Sequence, residues 1–292
     1  MRVAVAGIPG AWSSERMSEA LRERGVESFV FSLGDCLHDL TSGRVTLGEQ
    51  DLGELDGVII KKLAPQDSAV ARLRLHMMRS LESQGVRVFS PAGVIERAMD
   101  RYGMNRELAA DGLPLPQTIA FESMDGLRLA IDTLGDAVVK PVYTSKGRGM
   151  FRARRGDVLP DWDAENGRWL AQRFVEAPGR DIGACVLGGA YVGAFYRVAP
   201  EGNWMTTTFS GGHYEPCQLD QRGQDIAVRA TQLFGLDYTV VDLVETEGTY
   251  QLYEVSAFGG FRGLWTANQM DVAGLYADYI GGEIRNGQRA NR

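Results

Sequence analysis

At 292 residues, with 44% hydrophobic and 24% charged residues, the chain is long enough to bury a substantial core and lies outside the disordered and membrane classes. A formal net charge of -7 excludes a broad, sequence-independent grip on nucleic acid, which needs a surplus of Lys and Arg facing the phosphates. The three cysteines, Cys36, Cys185 and Cys217, are widely separated, with no CxxC pair and no clustered histidine. Neither a zinc site nor a disulfide framework is signalled, and the thiols are read as reduced. The N-terminus enters a short apolar run without the longer apolar core of a secretory signal, and no stretch is long enough to span a bilayer, so a cytoplasmic protein is expected.

Taken in chain order, Val3 to Ala6, Ser28 to Leu33, Val58 to Ile60 and Val86 to Phe89 read as strands. Between them, Ser13 to Gly25 and Asp67 to Gln84 carry apolar residues at helical spacing and end at glycines. That alternation predicts a small parallel sheet with packed helices over residues 1–94. Ser90-Pro91-Ala92-Gly93 breaks the pattern, and Val94 to Ala110 reads as one helix carrying Asp100 and Arg101. A central lobe over 95–170 follows, with a strand near Thr118 to Phe121, a helix after Asp125 and a strand from Ala137 to Val142. From Trp169 the chain turns predominantly to strands: Trp169 to Val175, Ile182 to Leu187, Tyr191 to Val198, Tyr238 to Glu245 and Tyr250 to Val255. Gly188-Gly189 is the expected hairpin turn. Helices are expected from Gly223 to Phe234 and after Asp271, which completes a third lobe over 171–292.

The sharpest chemical signal is Val138-Val139-Lys140-Pro141 followed by Ser145-Lys146-Gly147-Arg148-Gly149. Glycines let backbone N–H groups approach phosphate oxygens closely, while Lys140, Lys146 and Arg148 offset the charge of phosphoryl transfer. A solvated basic hairpin is the competing reading, since glycine-rich loops are common. A second signal is Asp242 and Glu254 on successive strands, where two converging carboxylates suit Mg²⁺; the bland alternative places each on a wet strand face. The third is Gln172-Arg173-Phe174-Val175, with Asp181 after Gly179-Arg180, read as the wall and ribose end of an adenine slot. An acidic residue at the start of a strand is equally a turn former.

In this order the signals resemble the ATP-grasp superfamily, and within it the RimK-type carboxylate-amine ligases. The likeness rests on the Asp100-Arg101 helix, the lysine strand and glycine loop, the run from Gln172 to Ile182, Arg197, Gly211-Gly212, and the strands bearing Asp242 and Glu254. It implies a mixed α/β fold: a Rossmann-like first lobe, a small central α+β lobe and a third lobe built on an antiparallel sheet. It also implies that ATP lies between the later lobes, held by Arg101, Lys140 and the Ser145 to Gly149 loop. Mg²⁺ or Mn²⁺ would sit on Asp242, Glu254 and Ser256. Arg197 and Lys140 would then be catalytic, Arg197 by stabilising the charge on the transferring group. The implied reaction joins an amino acid, most plausibly L-glutamate, to a carboxylate through an acylphosphate. With no appended partner-binding domain recognised, the expected acceptor is a small coenzyme or its biosynthetic intermediate. Neither nucleic acid nor membrane is expected as a partner, and a homodimer is implied by resemblance alone.

Several positions depart from the family pattern. The family has Asp-Lys where this chain has Asp100-Arg101, and Glu-Val-Asn where it has Glu254-Val255-Ser256. Trp204-Met205-Thr206-Thr207 replaces a segment that commonly carries an arginine and an asparagine, and Arg262 stands where a carboxylate is common. These changes motivate a second reading, an ATP-grasp scaffold with little ligase activity. Retention of Lys140, Arg197, Asp242 and Glu254 counts against it. A dehydrogenase reading of Gly7 to Gly10 fails because Pro9 and Trp12 spoil the glycine fingerprint. Lys61, His213 and Arg262 are the candidate substrate contacts, whereas His38 and His76 are read as structural or surface groups.

Overall fold

The computed structural model describes residues 1–64, 68–142, 147–160, 169–207 and 210–290. The first part of the chain runs β1 (Arg2–Ala6), α1 (Trp12–Arg22), β2 (Glu27–Phe31), β3 (Cys36–His38), β4 (Val45–Leu47), β5 (Gln50–Asp51), β6 (Gly57–Ile60), α2 (Ser68–Ser83) and β7 (Arg87–Phe89). Four of these strands form a parallel sheet in the order β2-β1-β6-β7. Alternation splits its side chains between two faces. Ala4, Ala6, Val58 and Ile60 pack under Leu75, Met78 and Leu81 of α2, while Val3, Val5 and Ile59 pack under Met17 and Leu21 of α1. Each fully buried aliphatic chain here is worth about 1.5–3 kcal/mol relative to exposure. The small sheet β3-β4-β5 has no counterpart in the sequence reading, because its strands are only two or three residues long.

Next come α3 (Ala92–Met99), α4 (Arg101–Ala110), β8 (Thr118–Phe121), α5 (Met124–Leu134), β9 (Asp136–Pro141), β10 (Phe151–Arg154) and β11 (Trp169–Arg173). The single helix expected from Val94 to Ala110 is in fact two. Asp100 breaks it with extended backbone (φ -81°, ψ 94°) and caps α4 by accepting from the Tyr102 amide at 3.0 Å. The central sheet has the order β10-β9-β11-β8, all neighbours antiparallel. β11 pairs with both β8 and β9 beyond residue 170, so this sheet continues through Arg173. Val139, Ala171 and Phe121 cover α5, which leaves Lys140, Leu170, Gln172 and Thr118 on the opposite face.

The last part comprises β12 (Arg180–Leu187), β13 (Ala190–Val198), β14 (His213–Cys217), α6 (Gln221–Phe234), β15 (Tyr238–Thr246), β16 (Thr249–Val255), α7 (Arg262–Asn268) and α8 (Val272–Ala290). Its antiparallel sheet runs β14-β13-β12-β15-β16. One face packs on α6 through Ala184, Val241 and Leu243. The other carries Cys185, Phe195 and Val240 against α7 and α8. α8 also reaches back to the first sheet: Tyr276, Ile280 and Ile284 share a core with Val3, Val5 and Ile59. Two ion pairs, Arg16 with Asp271 and Arg24 with Asp278, fasten the same junction.

Candidate active site

On β12 and β13, Asp181 and Arg197 are register partners, and both Asp181 oxygens accept from the Arg197 guanidinium at 2.8 Å. The pair lies beside Asp242 of β15, whose Oδ1 is 2.9 Å from Arg197 Nη2. That approach is poorly aligned, and Oδ1 is a buried acceptor without a well-directed hydrogen bond. Burial pushes the Asp242 carboxyl up to about 7, outweighing Arg197, and the neighbouring Asp181 and Glu254 add to the shift. Arg197 itself is raised well above its ordinary value by Asp181 and Asp242, despite burial. The two directions agree once the sharing is considered. Arg197 stays charged and is committed chiefly to Asp181, which leaves the buried Oδ1 of the otherwise part-exposed Asp242 with little compensation.

Glu254 of β16 stands directly opposite Asp242 in the strand register, beside a bulge that follows Asp242. The expected convergence of these two carboxylates is therefore present. Glu254 is gripped by Arg101 at the start of α4, with Nη2 to Oε2 at 3.1 Å and Nε to Oε2 at 3.3 Å. Nη1 of the same buried arginine donates to the Pro141 carbonyl at 3.2 Å, at the end of the lysine strand. Arg101 thus ties the carboxylate strand to the central sheet. The fork geometry of a guanidinium makes this possible, and a lysine would reach only one of the two partners.

Lys140 is buried on the central sheet and donates to Gln172 Oε1 at 2.8 Å, while Gln172 Nε2 donates to Thr118 Oγ1 at 3.0 Å. Burial, reinforced by Arg101, lowers the Lys140 ammonium to about 8, against the pull of Glu254 and Asp242. Gly147 and Gly149, at φ 69° and 70°, form a turn that only glycine adopts without strain. A side chain at Gly147 would meet Thr207 Cγ2 at 3.5 Å, so the loop lies against the segment after Trp204. Arg148 is exposed there. Ser145 and Lys146 lie outside the described residues.

Other expected contacts sit differently. The Arg173 guanidinium turns to the α5 side of the sheet, where it donates to the Leu134 carbonyl at 3.0 Å and to Gln117 Oε1 at 2.7 Å. Asp181 turns both oxygens on Arg197, which leaves the expected ribose contact without a committed group. Phe174 packs edge-on against Trp204 at 6.2 Å, with Arg152 over its ring at 3.4 Å. Val175 follows, half-buried, in the connector to β12. Beyond the end of β16, Ser256 donates its amide to Val240 and accepts at its carbonyl from Thr239, so its backbone is engaged within the sheet.

Lys61 is turned inward. Its Nζ donates to the Gly259 carbonyl at 2.5 Å and lies over the Phe261 ring at 3.8 Å, with burial lowering it to about 7. His213 is exposed on edge strand β14 and meets Glu215 at 2.9 Å. Arg262 is exposed at the start of α7, its guanidinium 5.2 Å from the Trp12 ring. The sequence reading missed Thr118, which holds Gln172, and named Trp204 only within a departing segment, not as the cap on Phe174; a lone Thr carries no spacing that singles it out. Among the described residues no group of three or more His, Cys, Asp or Glu side chains clusters as a metal site. No helix among them is long and apolar enough to cross a membrane.

Residues 98–280 match the model of the RimK-like ATP-grasp domain. The chain is 31% identical over 258 residues to tetrahydromethanopterin:alpha-L-glutamate ligase of Methanosarcina acetivorans, covering 81% of this chain and 80% of that protein. It is 28% identical over 284 residues to a probable alpha-L-glutamate ligase 2 of Hahella chejuensis, covering 94% and 93%. Its fold is similar to that of the ATP-grasp ligase PsnB complexed with a phosphomimetic variant of minimal precursor, Mg and ADP. The TM-score is 0.76 at 19% identity, over 97% of this chain and 98% of that one.

Proposed function

Since the chain belongs to the RimK-like ATP-grasp family of ATP-dependent ligases that form C–N bonds, we propose that it joins L-glutamate to the carboxylate of a small coenzyme or its biosynthetic intermediate. The glutamate ligases among its relatives support the amine, and the tetrahydromethanopterin ligase supports the class of acceptor. One observation carries the reading: Arg197, Asp242 and Glu254 are assembled on one face of the last sheet and tied by Arg101 to the strand that bears Lys140. A scaffold has no physical need for a charged cluster that costs this much to bury.

Asp242 and Glu254 fit a divalent cation on their own chemistry. They offer hard carboxylate oxygens, and Asp242 Oδ1 is buried without a well-directed donor. Mg²⁺ takes one or two carboxylates and completes its shell with water and phosphate oxygens. When bound, it would supply charge neutralisation of the phosphates.

The chain's own residues do the rest. Lys140, fixed by Gln172, places an ammonium at the phosphates, and Gly147 to Gly149 bring backbone close to them. An acceptor carboxylate oxygen attacks the γ-phosphorus, the bond to the β-phosphate oxygen breaks, and ADP leaves as the acylphosphate forms. The glutamate amine then attacks the acyl carbon. Its C–N bond replaces the C–O bond to phosphate, and the amine proton passes to solvent. Arg197, held on edge by Asp181, stabilises the oxyanion of the tetrahedral intermediate.

ADP release with ATP, Mg²⁺ and L-glutamate, across a panel of carboxylate coenzymes, tests the reading. Acceptor-dependent turnover that is lost in Lys140→Ala and Glu254→Ala is the expected result. A wild-type protein that binds ATP and stays silent over the whole panel would return the scaffold reading.

A further inference from the structure

Most cations around the junction of the first and last sheets are committed. Arg16 is paired with Asp271, Glu19 and Glu23, and Lys61 is held by the Gly259 carbonyl. Arg262 is different. It is exposed, and among the described residues it makes no ion pair; its guanidinium lies over the face of Trp12 at 5.2 Å. Trp12 in turn meets Trp265 edge to face at 6.0 Å, and Trp265 is 40% exposed. Ile8, in the loop between β1 and α1, is 53% exposed beside them in the chain. The half-buried Trp12, the more exposed Trp265 with Arg16 over its ring at 5.9 Å, and the Arg262 guanidinium therefore share one surface.

That surface adjoins the carboxylate cluster. α7 rests on the sheet face that carries Arg197: a side chain at Gly263 would come 2.3 Å from the Phe195 ring, and Phe195 precedes Arg197 by two residues on the same face of β13. Arg262 is the residue next to Gly263, so its helix begins at the border of the cluster. Trp12 lies across from it, as the first residue of α1, just after the loop that leaves the carboxyl end of β1, which is where open parallel sheets receive ligands.

We propose that Trp12, Trp265 and Arg262 form the acceptor subsite, and that it takes a planar aromatic molecule carrying a carboxylate. The indoles receive the ring by stacking, and Arg262 pairs with an anionic group of the acceptor. An aliphatic acid would leave both indoles wet and would use only the arginine. The assignment rests on the ligase reading above and narrows its acceptor to an aromatic class.

Calorimetric titration of the full chain separates the possibilities, with folic acid as the aromatic carboxylate, citrate as the aliphatic one, and a peptide ending in glutamate. AMPPNP with Mg²⁺ is titrated in parallel. Folic acid is expected to bind wild type in preference to citrate and the peptide. Its Kd should rise about tenfold in Trp12→Ala and in Arg262→Glu, with Trp12→Phe recovering most of the loss. AMPPNP binding in the same variants reports that they are folded, and Arg262→Glu, on the surface, guards against a Trp12→Ala that is not. Folic acid that fails to bind, binds no better than citrate or the peptide, or binds both variants as it binds wild type overturns the proposal. Failure of wild type to bind AMPPNP counts against the ligase reading alone, because folic acid is also titrated without nucleotide.

Discussion

Gln172 accepts a 2.8 Å hydrogen bond from Lys140, and both side chains are buried on the face of the central sheet away from α5. The amide fixes the lysine without neutralising it, as a carboxylate in its place would. Replacing Gln172 with leucine strands a buried ammonium and the Thr118 hydroxyl together. About 1–3 kcal/mol of stability should be lost for an unsatisfied buried group. The Kd for AMPPNP should rise at least about tenfold, as measured by calorimetry.

Burial lowers Lys140 to about 8, against 10.5 ordinarily. Phosphates select its charged form, so AMPPNP binding should weaken as pH rises from 7 to 9 and should take up a proton near pH 8.5. Calorimetry in buffers of differing ionisation enthalpy checks the uptake. The stability sign follows from the same shift. Between about 8 and 10.5 the unfolded chain holds a proton that the folded chain has released, so the cost of burying this lysine is full below pH 8 and fades above it. Lys140→Met should therefore gain most over wild type in thermal melts below pH 8, and least near pH 10.

Asp181 offers a clean separation of two roles. A ribose contact predicts that Asp181→Asn raises KM for ATP, whereas a buttress of Arg197 predicts a fall in kcat with KM for ATP nearly unchanged. The two 2.8 Å hydrogen bonds to Arg197 favour the second result, with a loss of about tenfold to a hundredfold in kcat. Steady-state kinetics at saturating glutamate and acceptor decide between them.

Asp242 is held near 7 by burial, so its proton is retained in the folded state well above the ordinary 3.8. The sign is opposite to that of Lys140. Its contribution to stability is full below about 4 and disappears as pH rises through 7, where the carboxylate ionises with its Oδ1 buried. Asp242→Asn should melt a few degrees higher than wild type at pH 8, with the gap closing toward pH 5, and should lose turnover. Mg²⁺ dependence of the wild-type rate should steepen below pH 7, where the metal competes with a proton.

Much of the fold was legible because its strands and helices carry strong periodicity: Val3 to Ala6 and Tyr238 to Glu245 read as strands in both sequence and structure. The break at Asp100 was not, since a capping aspartate inside a helical pattern has no local mark until its backbone is seen. At the site, Asp242 and Glu254 were legible as a pair because successive strands bring alternate residues into register. The direction of the Arg173 side chain follows from the same alternation. Its neighbour Gln172 points to the lysine, so period-two alternation sends Arg173 to the other side. The inward turn of Lys61 depends on Gly259 and Phe261, about two hundred positions away in the chain, and no local pattern reports it.

One face of the first sheet is covered jointly by α1 and by α8, about two hundred positions further along the chain. Val3, Val5 and Ile59 leave the ribosome long before Tyr276, Ile280 and Ile284 exist to cover them. Until then α1 alone packs on that face, and the nascent chain carries the part that α8 will cover uncovered through most of its own synthesis. Chains that terminate before α8 should consequently be engaged by chaperones and degraded, with the first sheet as the exposed surface they present.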